Sequence, residues 1–419
     1  MLWEASGRGL FFCTFVGETD YSMNTDLLER RNGAIDMLRG LTMFLMVAVN
    51  EFWTVYDVPH WLCHTDVYED GMGLSDIVFP MFLFAMGMSI PYAVERRYAK
   101  GLSGESTLGH IISRSFALLV MGVFTMNCGS DFAPVFGYGR GVYYLIMLAG
   151  FFLVWNQYPK GFRWKPVLVA LGAACLIFLA LTYRTTDGSL MQVGWWGILG
   201  LIGWAYLFCA TVYLFCRSRR WVLPLVWLAL VVVNVVTNPL RGGSALVASG
   251  NLIADFASAL HLGEGSCSLM AMGGVLLTLC DIPLRERPER QRIAFALVAA
   301  LALFSLGLLS HRWWIVSKNL GTLPWCFYVT AISVALYALL RFLEDRALVH
   351  WFAPFRPAGT ATLTVYMIPY IFLALWVFVS PTIPEWLCGW VGVAKCAVYS
   401  LLCIWIAELL GRLGIKLKI

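Results

Sequence analysis

Apolar residues in this chain fall into runs long enough to cross a bilayer, separated by short stretches rich in Arg, Lys, Gly and Pro. A membrane-spanning helix needs about 20 mostly apolar residues, and inside lipid every backbone polar group must find its partner within the protein. The pattern predicts twelve transmembrane helices, over 36–56, 74–94, 108–128, 141–157, 166–183, 195–216, 221–238, 267–283, 293–310, 323–342, 360–380 and 391–411. The expected fold class is therefore an all-α polytopic membrane protein.

Basic residues alternate between the connecting segments. Arg30 and Arg31 precede the first helix, and Arg96, Arg97 and Lys100 follow the second. Lys160, Arg163 and Lys165 follow the fourth, Arg217, Arg219 and Arg220 the sixth, and Arg285, Arg287, Arg290 and Arg292 the eighth. Arg341, Arg346 and Arg356 follow the tenth, and Arg412, Lys416 and Lys418 close the chain. The other loops hold only scattered cations: Arg140, Arg184, Arg241, Arg312, Lys318 and Lys395. Under the positive-inside rule both termini are expected in the cytoplasm.

Composition agrees. Of 419 residues 60% are hydrophobic and 13% charged, about half the charged share of a soluble domain. That excludes a soluble multidomain enzyme, a disordered chain and a nucleic-acid reader, and the net charge of +5 says little in a membrane protein. The 12 cysteines show no CxxC or Cys/His spacing, so no metal site is expected. Cys63, Cys128 and Cys388 fall in loops assigned to the outer face, where a bridge between two of them stays open. Residues 1–22 carry one short apolar patch and are expected to be a tail without function, or an over-extended start before Met23; residues 23–419 form a single transmembrane domain. Gly197, Gly200 and Gly203 recur every three residues, which suggests close helix packing, with a ligand groove as the alternative.

Ionisable side chains within spans are costly and mark candidate function. They cluster here. Asp36 and Arg39 sit at the inner end of the first helix, and Asn50 and Glu51 near its outer end. Loop 57–73 carries His60 and His64 with four carboxylates and no cation, Ser75 and Asp76 open the second helix, and Arg114 lies within the third. Asp36 and Arg39 are one helical turn apart, so a locking ion pair competes with a role in ligand binding. Glu51 offers a second acid/base or a residue of a wet vestibule, and His311 is an outer-facing candidate for an acceptor site.

Ile35-Asp36-Met37-Leu38-Arg39-Gly40, Leu45 to Asn50, a His-bearing loop, and Ser75-Asp76-Ile77-Val78-Phe79-Pro80-Met81-Phe82-Leu83-Phe84 with Gly87 together resemble a known family. Arg114-Ser115-Phe116 and Ser317-Lys318-Asn319-Leu320 continue the likeness. The family is that of the transmembrane acetyltransferases related to heparan-alpha-glucosaminide N-acetyltransferase, and the chain is most similar to its bacterial, Bacteroidetes-type branch. The resemblance implies an integral protein of the bacterial cytoplasmic membrane that moves acetyl from cytosolic acetyl-CoA to an amino or hydroxyl group of a glycan outside. It implies His64 as general base, Asp76 as its orienting partner and Asn50 as a donor to the thioester carbonyl. Arg39, Arg114 and Asp36 become candidates for acetyl-CoA binding, and Glu51, His311 and Asn319 for the acceptor. A homodimer is allowed by this reading. The loop between His64 and Asp76 is longer than the family pattern, which leaves His60 as a rival base. The competing class is a transporter of a small solute or glycan precursor, although no internal repeat supports it.

Overall fold

The computed structural model describes residues 32–129, 132–238 and 252–419. The expected tail at 1–22, together with Arg30, Arg31 and Arg241, lies outside the described residues. Among the described residues the chain is all helix, with three isolated β-bridges and no strand. The helices are α1 (Gly33–Val49), α2 (Leu74–Ala99), α3 (Gly104–Met126), α4 (Arg140–Trp155), α5 (Lys165–Thr182), α6 (Gly197–Phe215) and α7 (Val222–Thr237). They continue as α8 (Leu252–Ala259), α9 (Ser266–Leu284), α10 (Glu289–Ser310), α11 (Leu323–Asp345), α12 (Arg356–Thr360), α13 (Thr362–Val379) and α14 (Gly389–Arg412). Among the described residues ten helices are long and apolar enough to cross a membrane; α4 and α7 are apolar but shorter. Every predicted span thus has its helix, and the protein is an all-α polytopic membrane protein. The short α8 and α12 are additions that the apolar pattern did not predict.

α2 is the centre of the bundle, with 78% of its apolar window buried, whereas α10 buries 11% and presents its apolar surface outward. It packs against α1, α6, α9 and α11. Contact with α9 is backbone to backbone: a Cβ on Gly87 would lie 1.8 Å from the Ala271 carbonyl oxygen, and one on Gly274 2.1 Å from that of Phe84. Small residues at such crossings let helices gain close van der Waals contact where lipid offers no hydrophobic driving force. The Gly197–Gly203 stripe of α6 does the same against α3, where a Cβ on Gly122 would meet Trp196 and Gly200 at 2.4–2.5 Å. Close packing, not a ligand groove, accounts for that stripe.

One departure from the predicted boundaries shapes the site. α1 stops at Val49 instead of running to 56, and a 3₁₀ turn covers Phe52–Thr54. The Thr54 hydroxyl donates to the Glu51 carbonyl at 2.7 Å, while Tyr56 pairs with the chain near Cys388 (Tyr56 N to Leu387 O, 2.9 Å; Gly389 N to Tyr56 O, 2.8 Å). The chain must leave the helix early to reach that partner. At the other end of α1, Asn32 caps the helix and the Gly33 and Ala34 amides donate to the Glu344 carboxylate at 2.8 and 3.0 Å. A carboxylate at a helix N-terminus satisfies orphan donors and the helix dipole together.

Candidate active site

Asp76 lies in the first turn of α2 and is fully buried. Proline at position 80 explains part of its setting. Pro80 has no N–H, so the Asp76 carbonyl loses its helical partner; the Trp325 indole N–H, from α11, donates to it instead at 3.1 Å. The carboxylate is satisfied just as fully. One oxygen, Oδ2, accepts from the Thr65 amide (3.1 Å), the Thr65 hydroxyl (3.1 Å) and the Gly73 amide (3.0 Å). The other, Oδ1, lies 2.6 Å from His64 Nδ1. Buried carboxylates need this density of donors, because an unpaired charge there costs several kcal/mol.

Gly73 makes the loop close on the helix. A Cβ at that position would sit 1.9 Å from the Cys63 carbonyl oxygen, so only glycine lets residues 61–65 pass over the start of α2. The Ser75 hydroxyl fastens the same crossing by donating to the Leu62 carbonyl at 2.5 Å.

A second loop, 311–322, clasps the first. His311 Nε2 meets Asp70 Oδ1 at 2.7 Å, and that oxygen also accepts from the Val316 amide at 2.9 Å. The Ser317 hydroxyl donates to the Val67 carbonyl (2.9 Å) and the Asn319 amide group to the Thr65 carbonyl (3.2 Å). His311 and Asn319, read from the sequence as acceptor candidates, are thus engaged in holding the His64 loop. The clasp also delivers a residue that the sequence reading left among scattered cations. Lys318 Nζ lies 3.1 Å from His64 Nδ1 and 3.7 Å from Asp76 Oδ1. Burial pushes its ammonium below the usual lysine value, opposed by the Asp76 carboxylate.

His64 is 48% exposed at its side chain and lines an open cavity of ≈ 560 Å³ together with Asn50, Trp53, Asp57 and Cys63. With Nδ1 held by Asp76, Nε2 is the ring nitrogen with no hydrogen bond among the described residues. Cys63 is a poor nucleophile, because burial, aided by Asp76, pushes its thiol above the ordinary range. The rival His60 is exposed and, among the described residues, pairs with Glu69 alone, at 3.4 Å. Among the described residues Cys63, Cys128 and Cys388 form no disulfide.

The remaining candidates are dispersed. Glu51 pairs with Lys395 of α14 at 2.6 Å, and Lys395 also donates to the Thr54 hydroxyl at 2.7 Å. Asp36 and Arg39 stand 3.9 Å apart, and Arg39 donates to the Thr362 hydroxyl at 3.0 Å. Arg114 lies over the Tyr206 ring at 4.6 Å with its buried Nε unpartnered. Among the described residues no cluster of His, Cys, Asp or Glu could hold a metal ion.

Fold and site together define a polytopic membrane protein with a His–carboxylate dyad at the mouth of an open cavity. Residues 31–239 match the family described as a domain of unknown function, DUF5009. The chain is also similar to the heparan-alpha-glucosaminide N-acetyltransferase of Mus musculus, 33% identical over 105 residues, which are 24% of this chain and 15% of that protein. The Homo sapiens enzyme of the same name is 33% identical over 112 residues, 26% of this chain and 16% of that protein. The chain therefore matches only about a sixth of the length of these curated relatives. The DUF5009 match takes in Asn50, His64, Asp76 and Arg114, and leaves out Lys318 and Lys395. These likenesses support an acetyltransferase-like relationship.

Proposed function

We propose that this protein is a transmembrane acetyltransferase that moves an acetyl group from acetyl-CoA to an amino or hydroxyl group of a sugar or glycan, with His64 as general base. The observation that carries the reading is the His64–Asp76 contact of 2.6 Å at the wall of the cavity that also contains Asn50. Asp76 accepts the Nδ1 proton, which fixes the tautomer with a lone pair on Nε2. An acceptor amine attacks the thioester carbon while Nε2 takes its proton. Charge that develops on the thioester oxygen is met by the Asn50 amide, a donor worth about 3 kcal/mol in a well-placed site. Collapse breaks the C–S bond, and the imidazolium returns its proton to the departing CoA thiolate.

The donor enters from the basic face of the membrane, taken as cytoplasmic from the alternation of Lys and Arg, and the acceptor from the face that carries loop 57–73. Arg114, whose buried Nε has no partner, is a ready contact for a CoA phosphate; Arg39 and Asp36 reach the donor by giving up contacts they already have. The reading takes the membrane to be the bacterial cytoplasmic membrane, as the resemblance in sequence implies, and it is compatible with a homodimer. The decisive experiment offers labelled acetyl-CoA to the purified protein in vesicles with a panel of amino sugars and glycan fragments. Labelled acetyl-sugar that disappears with His64→Ala supports the proposal. No product with any acceptor, and no thermal shift with acetyl-CoA beyond that with ATP, would overturn it.

A further inference from the structure

Two opposite charges approach one ring nitrogen of His64, and only one of them has a place in the chemistry above. Asp76 Oδ1 lies 2.6 Å from Nδ1 and Lys318 Nζ 3.1 Å from the same atom. An imidazole that donates its Nδ1 proton to a carboxylate cannot also accept a hydrogen bond there, so the lysine acts on the ring as a charge. The loop that carries it is fixed against the histidine loop. Its backbone is pinned by Gly321 N to Lys318 O (3.0 Å), Thr322 N to Ser317 O (3.1 Å) and the Ser317–Val67 bond across to the histidine loop.

We infer that Lys318 is a positioning residue whose ammonium offsets the Asp76 carboxylate at the His64 ring, keeping the imidazole neutral and able to accept a proton. A buried carboxylate alone favours the imidazolium, which has no lone pair with which to act as a base. A cation against the same nitrogen penalises that form. Other charges near the ring do not replace it. From the loop and α2 come the thiol of Cys63 and Asp76 itself, and from the cavity rim the exposed Asp57. Asn50 at the end of α1 and Asn319 beside the lysine are neutral. His60 is engaged with Glu69, and Asp70 with His311. Lys318 is the one cation in direct contact with the ring among the described residues. The inference rests on the proposed function only in calling His64 a base.

The test reads the ring directly. Diethyl pyrocarbonate modifies neutral imidazole, so mass spectrometry of the His64 peptide across pH gives the midpoint at which the ring becomes reactive. Lys318→Met should raise that midpoint by about one pH unit or more, since a nearby like charge no longer opposes protonation. Lys318→Arg should follow the wild type, and Lys318→Gln, which keeps a polar side chain, should follow Lys318→Met. Thermal midpoints of all three confirm that folded protein is being compared. An unchanged midpoint in folded Lys318→Met and Lys318→Gln would overturn the inference, even in an active enzyme. A raised midpoint in a protein that acetylates no acceptor would leave the inference standing and remove the proposed function.

Discussion

Replacing Asp76 by Asn tests the dyad with the least change in shape. The carboxylate accepts three hydrogen bonds on Oδ2 and faces His64 and Lys318 with Oδ1. Asparagine has one carbonyl oxygen, and the surroundings decide where it goes. Turning the NH₂ toward the Thr65 and Gly73 donors would leave buried donors unpaired, at about 1–3 kcal/mol each. The oxygen therefore stays on that side, and the NH₂ points at His64 Nδ1. Nδ1 must then carry the lone pair and Nε2 the proton, which is the tautomer unable to act as a base on the cavity side. Turnover should fall by about 10²–10⁴-fold while acetyl-CoA affinity stays within a few-fold. Steady-state transfer from labelled acetyl-CoA gives the first quantity and ligand-dependent thermal shift the second. A variant that keeps more than about a tenth of wild-type turnover would refute the tautomer argument. So would one whose main defect is lost donor binding.

His64→Ala should abolish transfer with donor binding nearly intact, whereas His60→Ala, which loses only a 3.4 Å contact to Glu69, should cost less than about tenfold; a dead His60 variant would move the base to that position. Gly73→Ala should lower activity sharply, and the thermal midpoint with it, because the new Cβ would meet the Cys63 carbonyl 1.9 Å away; normal turnover in that variant would show that the loop crossing does not position His64. Lys395→Met should destabilise the fold by leaving Glu51 without its partner, and Glu51→Gln in the same chain should recover part of the loss, read from thermal midpoints in detergent. For topology, a cysteine placed at the exposed Tyr68 should label on intact cells with an impermeant maleimide, and one placed at Arg287 should not; the reverse pattern would invert the orientation.

Helix count and order were legible in the sequence because bilayer thickness imposes one length on every span. The apolar runs found α1 to α7, α9 to α11, α13 and α14, most within a few residues, with the end of α1 missed by seven. The short α12 lay beyond that reasoning, since five residues carry no periodic signal. Asp36 and Arg39 could be paired from spacing alone, as helix geometry fixes neighbours three residues apart. The dyad was less accessible. His64 and Asp76 are 12 residues apart across a loop, and the sequence reading joined them through the family resemblance, not through geometry. Lys318 was out of reach altogether: it stands 254 residues from His64, and only tertiary clasping of two loops brings them together. The one signal in the sequence is the segment Ser317-Lys318-Asn319-Leu320, which resembles a family segment. The same limit hid Lys395, 344 residues from Glu51, whose pairing ties Glu51 to α14.

The division of labour between the two loops explains why the site spans both halves of the chain. Loop 57–73 and the first turn of α2 could supply the histidine and its carboxylate from one short stretch, with Gly73 and Thr65 satisfying the charge locally. Such a unit would be complete as a hydrogen-bonded cap, yet its ring would face a carboxylate alone. The 311–322 loop and the start of α11 add what local sequence does not provide: the loop brings a cation to the ring and the Asp70–His311 clasp, and α11 brings the Trp325 indole to the Asp76 carbonyl that Pro80 leaves without a helical partner. Each of these acts on a group already in place, and none lines the cavity. On the proposed reading, chemistry and control are separated in sequence. Substitutions in the first hairpin should destroy proton transfer, whereas substitutions at Lys318 should shift the pH at which transfer occurs and leave the high-pH rate near that of the wild type. A Lys318→Met enzyme equally impaired at every pH would show that the lysine holds the loop and nothing more.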